Sequence, residues 1–380
     1  MKKIYYLLFL SSLTSLAQTQ IGSDINGEAA NDYSSRSISL SSDGNIIAIG
    51  AAQNNGSGTD DAGHVRVYQN ASGVWTQIGA DIDGEANVDL SGVCVSLSSN
   101  GNIVAIGANA NDGNGNLSGH VRVYQNISGV WTQIGADIDG EASYDQSGES
   151  ISLSSDGSIV AIGARYNGGN GTNSGHVRVY QNVSGVWTKI GADINGEAAN
   201  DYSGYSIALS SDGSIVAIGA AQNDGNGTDS GHVRVYRNIS GVWTQIGADI
   251  NGEAANDQSG RSVALSSDGS IVAIGARLND GNGTDSGHVR VYRNISGVWT
   301  QIGSDINGEA ANDYSGHSVA LSSDGSIVAI GAYQNDGNGT DSGHVRVYRN
   351  ISGVWTQVGT DINGEAAGDY CGYGISLSSN

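Results

Sequence analysis

Glycine-rich loops with alternating oxygen ligands recur along the chain and could bind a metal ion. In one of them Asp224, Asn226, Thr228 and Asp229 stand among glycines. Ca²⁺ prefers several hard oxygen ligands on a backbone that bends easily, so these loops are candidate calcium sites. A polar turn that needs no metal is the alternative. The third loop, 167–173, has no carboxylate, so a metal required by every loop is not expected. The candidate ligands are Asp60, Asp61, Asp112, Asn114, Asp224, Asn226, Asp229, Asp280, Asn282, Asp285, Asp336, Asn338 and Asp341.

Other residues could recognise a ligand because they break the repetition. Most positions are nearly the same in every copy of the repeated pattern, but two positions vary strongly. One comes just before a short apolar strand, and the other follows a Gly-Ala pair. We predict that a specific ligand is bound where the copies differ, with simple drift between copies as the alternative. The candidate residues are Arg36, Glu149, Tyr205, Arg261, His317, Tyr373, Arg165, Arg277 and Tyr333.

The repeated histidine, arginine and tryptophan have a structural explanation. His232 and Arg234 alternate with valine in the phrase His-Val-Arg-Val-Tyr, and the sequence places no further metal ligand beside them. We predict that they pack and form hydrogen bonds between repeats, with metal binding as the alternative. Trp243 is expected to pack on an outer strand, with sugar stacking as the alternative. Because no copy has an insertion and Glu149 and His317 lie about three repeats apart, we predict that the protein is not an enzyme.

The elements that hold these residues follow from a strict period. Six tryptophans, from Trp75 to Trp355, are each separated by 56 residues. One repeat predicts four short strands over 206–210, 215–220, 232–236 and 242–246, then a polar connection over 249–260, and no helical period. A four-stranded antiparallel sheet with two apolar faces needs neighbours on both sides. Radial stacking provides them, so we predict an all-β protein with the β-propeller fold, and a β-solenoid is the alternative. In a propeller, both variable positions lie on one loop face around the axis.

Counting each strand separately changes the number of blades. The second and third strands occur six times, whereas the first occurs seven times, the last at 374–378. The fourth also occurs seven times, because 19–22 is a copy of it. We therefore predict a propeller domain over 18–380, with six complete blades and a partial seventh that begins at 374 and borrows its fourth strand from 19–22. We expect the chain to be a fragment of a longer protein, or else a six-bladed body with frayed ends.

The repeat resembles the FG-GAP repeat, which forms the blades of integrin-α-like propellers and of many bacterial surface proteins. The resemblance rests on 201–204, on Asp212-Gly213, on Ile218-Gly219-Ala220 and on 231–236, and it recurs in six copies. The Phe-Gly of the family name is Ser-Gly in most copies here, and the family's calcium loop has shortened to Ser-Ser-Asp-Gly, so that calcium site is not carried over. The family implies an extracellular scaffold for adhesion or ligand binding.

The N-terminus and the charge indicate where the protein acts. Lys2 and Lys3, an apolar run and the small residues around Ala17 are typical of a signal peptide over 1–17, cleaved after Ala17. No later segment is apolar enough to span a membrane. The net charge of −22 repels nucleic acid and anionic lipid. We therefore predict an exported protein, extracellular or on the cell surface, that binds an extracellular protein or glycan through its loops. A multivalent lectin is the first alternative, and a glycan-active enzyme is the second.

Overall fold

The chain alternates short strands and turns, and the six complete repeats each form one antiparallel sheet. The structure is a computed structural model, which describes residues 18–55 and 60–379. The signal peptide predicted over 1–17 lies outside the described residues. Within the described part of the chain, each sheet has four strands in sequence order, from innermost to outermost, and a two-residue fifth strand beside the third. No helix among the described residues is both long and apolar enough to cross a membrane.

The strands of the six blades occupy equivalent positions in each repeat. The first strands are β1 (Ser34–Leu40), β6 (Cys94–Leu97), β11 (Ser150–Leu153), β16 (Ser206–Leu209), β21 (Ser262–Leu265) and β26 (Ser318–Leu321). The second strands are β2 (Ile46–Ala51), β7 (Ile103–Ala108), β12 (Ile159–Ala164), β17 (Ile215–Ala220), β22 (Ile271–Ala276) and β27 (Ile327–Ala332). The third strands are β3 (His64–Ala71), β8 (His120–Ile127), β13 (His176–Val183), β18 (His232–Ile239), β23 (His288–Ile295) and β28 (His344–Ile351).

The outer edge of each third strand is shared by two short strands. The fourth strands are β4 (Val74–Gln77), β9 (Val130–Gln133), β14 (Val186–Lys189), β19 (Val242–Gln245), β24 (Val298–Gln301) and β29 (Val354–Gln357). The fifth strands are β5 (Ile82–Asp83), β10 (Ile138–Asp139), β15 (Ile194–Asn195), β20 (Ile250–Asn251), β25 (Ile306–Asn307) and β30 (Ile362–Asn363). In blade four, Asn238 pairs with Trp243 at one end of β18, and His232 pairs with Asn251 at the other. β20 was not predicted from the sequence, because two residues are too few to show alternation.

The hydrophobic cores lie between consecutive blades. Val233 and Val235 of β18 pack in one cluster with Val272 and Ile274 of β22 in the next blade. The described residues form five such clusters, one at each junction from blade one to blade six. Burying both faces of each sheet against its neighbours is what a β-propeller requires. The predicted all-β propeller of four-stranded antiparallel blades is therefore confirmed.

A ring of serine backbones surrounds the axis at the end where the first and second strands are joined. The N–H of Ser42 donates to the carbonyl oxygen of Ser99 at 2.8 Å, and the same bond links each following blade to the next. The ring continues through Ser155, Ser211, Ser267 and Ser323. The Ser323 hydroxyl then donates to the carbonyl of Ser379 at 3.1 Å, and the Ser379 N–H donates to Ser42 at 2.8 Å. Residues near Ser379 thus connect blade six with blade one.

The two described ends of the chain contact the same junction. Each tryptophan from blade two to blade six donates its indole N–H to a carbonyl of the preceding blade, and Trp75 donates in the same way to Ile21 at 2.9 Å. Gln18, at the tryptophan position of its own copy, donates its amide to Val358 at 3.1 Å. Residues 19–22 and 374–378 are nevertheless not strands. The partial seventh blade stays a prediction.

Candidate functional site

Residues from several blades meet at the mouth of the axis, on the face opposite the serine ring. We call the nine variable residues predicted as ligand contacts the axial cluster: Arg36, Glu149, Arg165, Tyr205, Arg261, Arg277, His317, Tyr333 and Tyr373. Eight of them stand near the start of an innermost strand or just after a second strand, as Tyr205 does before β16 and Arg165 does after β12. Tyr373 has the equivalent position before the segment 374–378, which is not a strand. Since the innermost strands surround the axis, residues far apart in sequence become neighbours there.

One half of the cluster is a pocket lined by arginines. Arg165 forms an ion pair with Glu149, with 2.8 Å between Nε and Oε2, and lies 4.5 Å from the centre of the Tyr205 ring. Arg261 stacks on the same ring at 4.0 Å. The guanidinium of Arg277 donates to Oε1 of Gln258 at 3.2 Å. We call this site, with a volume of about 240 Å³, the arginine pocket.

Arg261 is an arginine of this pocket that has no acidic partner among the described residues. Its guanidinium forms no hydrogen bond with any described residue, and its Nε is buried. Burial, together with the charges of Arg277 and Arg165, lowers the pKa of Arg261 to about 9, so it remains charged at neutral pH. Glu149 is the one acidic member of the axial cluster, and it is already paired with Arg165. Burial raises the pKa of Glu149 from its usual value, although the charges of Arg165 and Arg261 oppose that effect.

The other half of the cluster is lined by tyrosines. A pocket of about 690 Å³, which we call the tyrosine pocket, is bordered by Arg36, Tyr333, Tyr370 and Tyr373. Nε of Arg36 donates to the Tyr373 hydroxyl at 2.9 Å. Aromatic rings beside a cation form a surface on which an apolar sugar face can stack.

His317 packs against two rings of the tyrosine pocket. Its ring centre lies 4.3 Å from that of Tyr333 and 4.6 Å from that of Tyr373, and its Nδ1 is buried without a hydrogen-bond partner among the described residues. Burial lowers its pKa to about 3, with further contributions from Arg261, Arg277 and Arg36, so the imidazole is neutral at pH 7.

The ring geometry brings Glu149 and His317 into one electrostatic environment, although about three repeats separate them in the sequence. Both lie within electrostatic range of Arg36 and Arg261. Distance along the chain is a poor guide here, because opposite blades of a propeller face one another across the axis.

The candidate calcium loops use their side chains in local hydrogen bonds. Oδ1 of Asp224 accepts the Asp229 N–H at 2.9 Å, and Asn226 donates to the Gly252 and Glu253 carbonyls at 2.8 and 3.0 Å. The loops around Asp280, Asn282 and Asp285 and around Asp336, Asn338 and Asp341 repeat these bonds.

The first two loops differ in detail from the later ones. Oδ1 of Asp112 accepts the Leu117 N–H at 2.8 Å, and Asn114 donates to Gly140 at 2.8 Å. Asp60 and Asp61 are described only as the end of a loop whose residues 56–59 lie outside the described part. These turn contacts explain why the spacing of the loops is repeated from copy to copy, without invoking a metal. Calcium binding there stays a prediction.

The repeated histidines and arginines join neighbouring blades. Nη2 of Arg234 donates to the carbonyl of Asn195 in the preceding blade at 2.8 Å, and Nη1 lies 3.4 Å from Oε1 of Glu197. His232 is 1 % exposed, and its Nδ1 faces Glu197 and Asp249. The sequence does not show that these carboxylates lie beside the histidine, because they come from two linkers distant in sequence and only the blade stacking brings them together.

Comparisons with known proteins agree with the fold. The FG-GAP repeat model matches residues 251–292 and 307–348. No curated protein matches the chain. Among solved structures, a putative 6-phosphogluconolactonase from Bacteroides uniformis is similar, with 12 % identity, a TM-score of 0.60 and coverage of 87 % of this chain and 85 % of that chain. The Kuenenia stuttgartiensis hydrazine synthase has 12 % identity and a TM-score of 0.57, covering 94 % and 92 %.

A third solved structure bears on catalysis. The periplasmic gluconolactonase PpgL of Pseudomonas aeruginosa has 16 % identity and a TM-score of 0.56, covering 87 % of this chain and 85 % of that chain. At such identities the likeness shows the fold alone. Two of the three propellers are nevertheless named as lactonases, so the prediction that this chain is not an enzyme is contradicted. The ring geometry also removes one of the two reasons for that prediction, the separation of Glu149 from His317.

Proposed function

Because this chain is a β-propeller of the FG-GAP repeat family, we propose that it is an exported scaffold that binds a carboxylated sugar at the axial cluster. The observation that carries the proposal is Arg261. A charged guanidinium that is largely removed from water and has no acid of its own destabilises the free protein. A carboxylate from a ligand would accept its N–H groups in the paired geometry that arginine favours.

The two pockets divide the recognition of such a sugar. In the arginine pocket, Arg261 and Arg277 provide cationic N–H donors for the acid group. In the tyrosine pocket, Tyr333 and Tyr373 provide rings for the apolar face of the sugar. His317 packs against both of these rings, and its neutral imidazole would offer a nitrogen to a hydroxyl. This arrangement of a few polar anchors beside aromatic walls is typical of small-ligand sites.

The charge of the whole protein restricts the size of the ligand. The sequence has 38 acidic and 16 basic residues, and four of the basic ones lie in the axial cluster. Electrostatic screening in physiological salt has a length of about 8 Å, so an acid group seated in the cluster interacts mainly with these arginines. A long polyanion would also meet the acidic surface beyond them. The charge pattern therefore favours a single acidic sugar or a chain end.

A glycan array followed by calorimetry tests the proposal. The full chain is expected to bind glycans that end in a uronic or other carboxylated sugar and to ignore their neutral counterparts. Calorimetry with a bound monosaccharide should give one site per chain. A lectin with equivalent sites between blades would instead give several sites per chain, and binding of neutral sugars alone would contradict the proposal.

His317 favours a second candidate function, the hydrolysis of an acidic sugar lactone. A neutral imidazole can accept a proton from an attacking water, and arginines can stabilise the oxyanion that forms at the lactone carbonyl. The pKa of about 3 makes free His317 a weak base. A bound anion would offset the charges of Arg261, Arg277 and Arg36 and would raise that pKa, so the base would gain strength when the substrate is present.

A lactonase assay tests this second function. The full chain, incubated with glucono-lactone and with its 6-phosphorylated form, should release acid faster with the anionic substrate, and the His317→Gln variant should lose that activity. The Arg237→Gln variant, altered at an exposed position of the third strand β18, is the matched control and should keep it. If the wild type releases no acid above the buffer rate, the site binds without catalysis.

A further inference from the structure

A second set of polar side chains lies away from the axis, at each junction between blades. A glutamate, a buried histidine and an aspartate place one ligand atom each within 4.8 Å of one another, as Glu197, His232 and Asp249 do. We call these sets the blade triads. The others are Glu28, His64 and Asp81; Glu85, His120 and Asp137; Glu141, His176 and Asp193; Glu253, His288 and Asp305; and Glu309, His344 and Asp361.

The distances within a triad do not fit hydrogen bonds. Nδ1 of His64 lies 3.8 Å from Glu28 and 3.7 Å from Asp81, and Nδ1 of His344 lies 3.8 and 3.9 Å from its two carboxylates. A hydrogen bond between such atoms spans about 2.7–3.2 Å. Any two ligand atoms of a tetrahedral Zn²⁺ site, with bonds of about 2.1 Å, are about 3.4 Å apart. The ligand atoms of a triad are therefore slightly farther apart than two zinc ligands would be. A small side-chain rotation would bring them to the distances of a zinc site.

The imidazole in each triad is buried, and in two triads its Nδ1 has no hydrogen-bond partner within the described part of the chain. All six histidines are 1 % exposed, and Nδ1 of His64 and of His344 is buried without a hydrogen-bond partner among the described residues.

Neighbouring residues hold one oxygen of each carboxylate and leave the other oxygen free. Oε1 of Glu197 lies 3.4 Å from Arg234, whereas Oε2 faces His232. Oδ1 of Asp249 accepts the amide of Gln245 at 2.6 Å, which leaves Oδ2 for the triad. Outer partners of this kind orient metal ligands and are a regular part of protein metal sites.

From this geometry we propose that the blade triads bind divalent transition-metal ions, Zn²⁺ foremost, between neighbouring blades. One imidazole nitrogen and two carboxylate oxygens suit Zn²⁺, whereas Ca²⁺ prefers oxygen alone. Water completes the coordination, since the carboxylates reach solvent: the glutamate of blade four's triad is 45 % exposed. Because each ion would join a linker of one blade to the third strand of the next, binding would also stabilise the ring.

One blade provides an internal comparison. In the triad of Glu141, His176 and Asp193, the residue that holds the aspartate is Lys189 instead of glutamine, at 2.7 Å from Oδ1. Its positive charge weakens the attraction of that triad for a cation. The Lys189→Gln variant restores the residue present in the other blades and should strengthen zinc binding there.

The test measures how many Zn²⁺ ions an untagged, metal-stripped full chain retains, by native mass spectrometry. More than one ion per chain is expected, with six as the upper limit set by the triads. The Asp249→Asn variant should retain one ion fewer, and Asp212→Asn, which alters an exposed turn aspartate of the same blade outside the triads, should retain the full number. An equal count in wild type and Asp249→Asn would overturn the proposal. Co²⁺ added in place of Zn²⁺ should give visible d–d absorption that weakens in Asp249→Asn, and unchanged absorption would likewise count against it.

Discussion

At the scale of the residue, the sequence identified the members of the axial cluster but not their contacts. The axial cluster consists of positions where the copies differ, and the sequence alone identified them, because deviations are easy to see against a constant background. Their joint environment could not be derived from the sequence. Arg165 forms an ion pair with Glu149 at 2.8 Å, and Arg261 therefore has no acidic partner among the described residues. This pairing depends on side-chain contacts between blades. The blade triads were missed for the same reason.

The buried histidines make a prediction about pH. The pKa of His176 is lowered by burial from 6.5 to about 4, so the unfolded chain takes up a proton at a higher pH than the folded chain does. Stability from this group is complete above pH 6.5 and is lost as the pH falls towards 4, at about 1.4 kcal/mol per unit of pKa difference. His120 and His344 shift in the same direction.

Thermal unfolding of the metal-free chain checks this expectation. The midpoint should fall clearly between pH 6.5 and pH 4.5, before the carboxylates that hold turns, such as Asp324, begin to titrate below their ordinary value of 3.8. A midpoint that stays constant over that range would show that the histidines are protonated equally in both states.

At the scale of the element, spacing predicted the strands well. Ile215–Ala220 has the predicted bounds, because its short apolar run is ended by polar turns on both sides. The third strand is three residues longer than predicted, since the exposed residues up to Ile239 pair with β19 although they bury little surface. Strand residues that form hydrogen bonds but bury no apolar side chains cannot be recognised from the hydrophobic pattern.

Glycine at the junctions between blades is a sharp test of this packing. A Cβ on Gly219 would collide with the carbonyl oxygen of Gly260 in the next blade. The Gly219→Ala variant should therefore lose several kcal/mol of unfolding free energy, by overpacking and backbone displacement. Gly241→Ala is the matched control. It has open space around it but a φ of +86°, so it should lose only about 1 kcal/mol in denaturant unfolding. Equal losses would contradict the described approach of the blades.

The acidic loops offer a second test at this scale. Oδ1 of Asp280 accepts the Asp285 N–H at 2.9 Å, so Asp280→Ala should cost about 1 kcal/mol of stability even in calcium-free buffer. Thermal melting with and without added Ca²⁺ checks this. If calcium raises the midpoint of the wild type and not that of Asp280→Ala, the loop is a calcium site as well as a turn. An unaltered midpoint in the variant without calcium would show that the hydrogen bond contributes nothing.

At the scale of the whole molecule, the period predicts the architecture, since sheets with two apolar faces must be covered by copies of themselves. Closure of the ring was harder to foresee. Ser379 completes the serine ring between Ser323 and Ser42, although its segment is not a strand. The sequence showed that a seventh innermost segment exists, but only the structure shows which blades it contacts.

Removal of residues 374–380 tests the importance of closure. The shortened chain loses the hydrogen bonds of Ser379 and part of the wall of the tyrosine pocket. We expect a lower melting midpoint and a broader transition, because a repeat protein opened at one junction unfolds from that junction. A transition of unchanged midpoint and width would show that the ring is held by neighbouring blades alone.

The central claim, that Arg261 anchors an acidic ligand, is tested most directly by calorimetry on two matched variants. Arg261→Gln and Arg237→Gln change the net charge equally, but the first lies in the axial cluster and the second is an exposed residue of the third strand β18. With the carboxylated sugar that binds the wild type, Arg261→Gln should weaken affinity at least about tenfold, since a charge-assisted hydrogen bond is worth about 1.5–3 kcal/mol, whereas Arg237→Gln should bind like the wild type. Equal affinities for all three proteins would contradict the account.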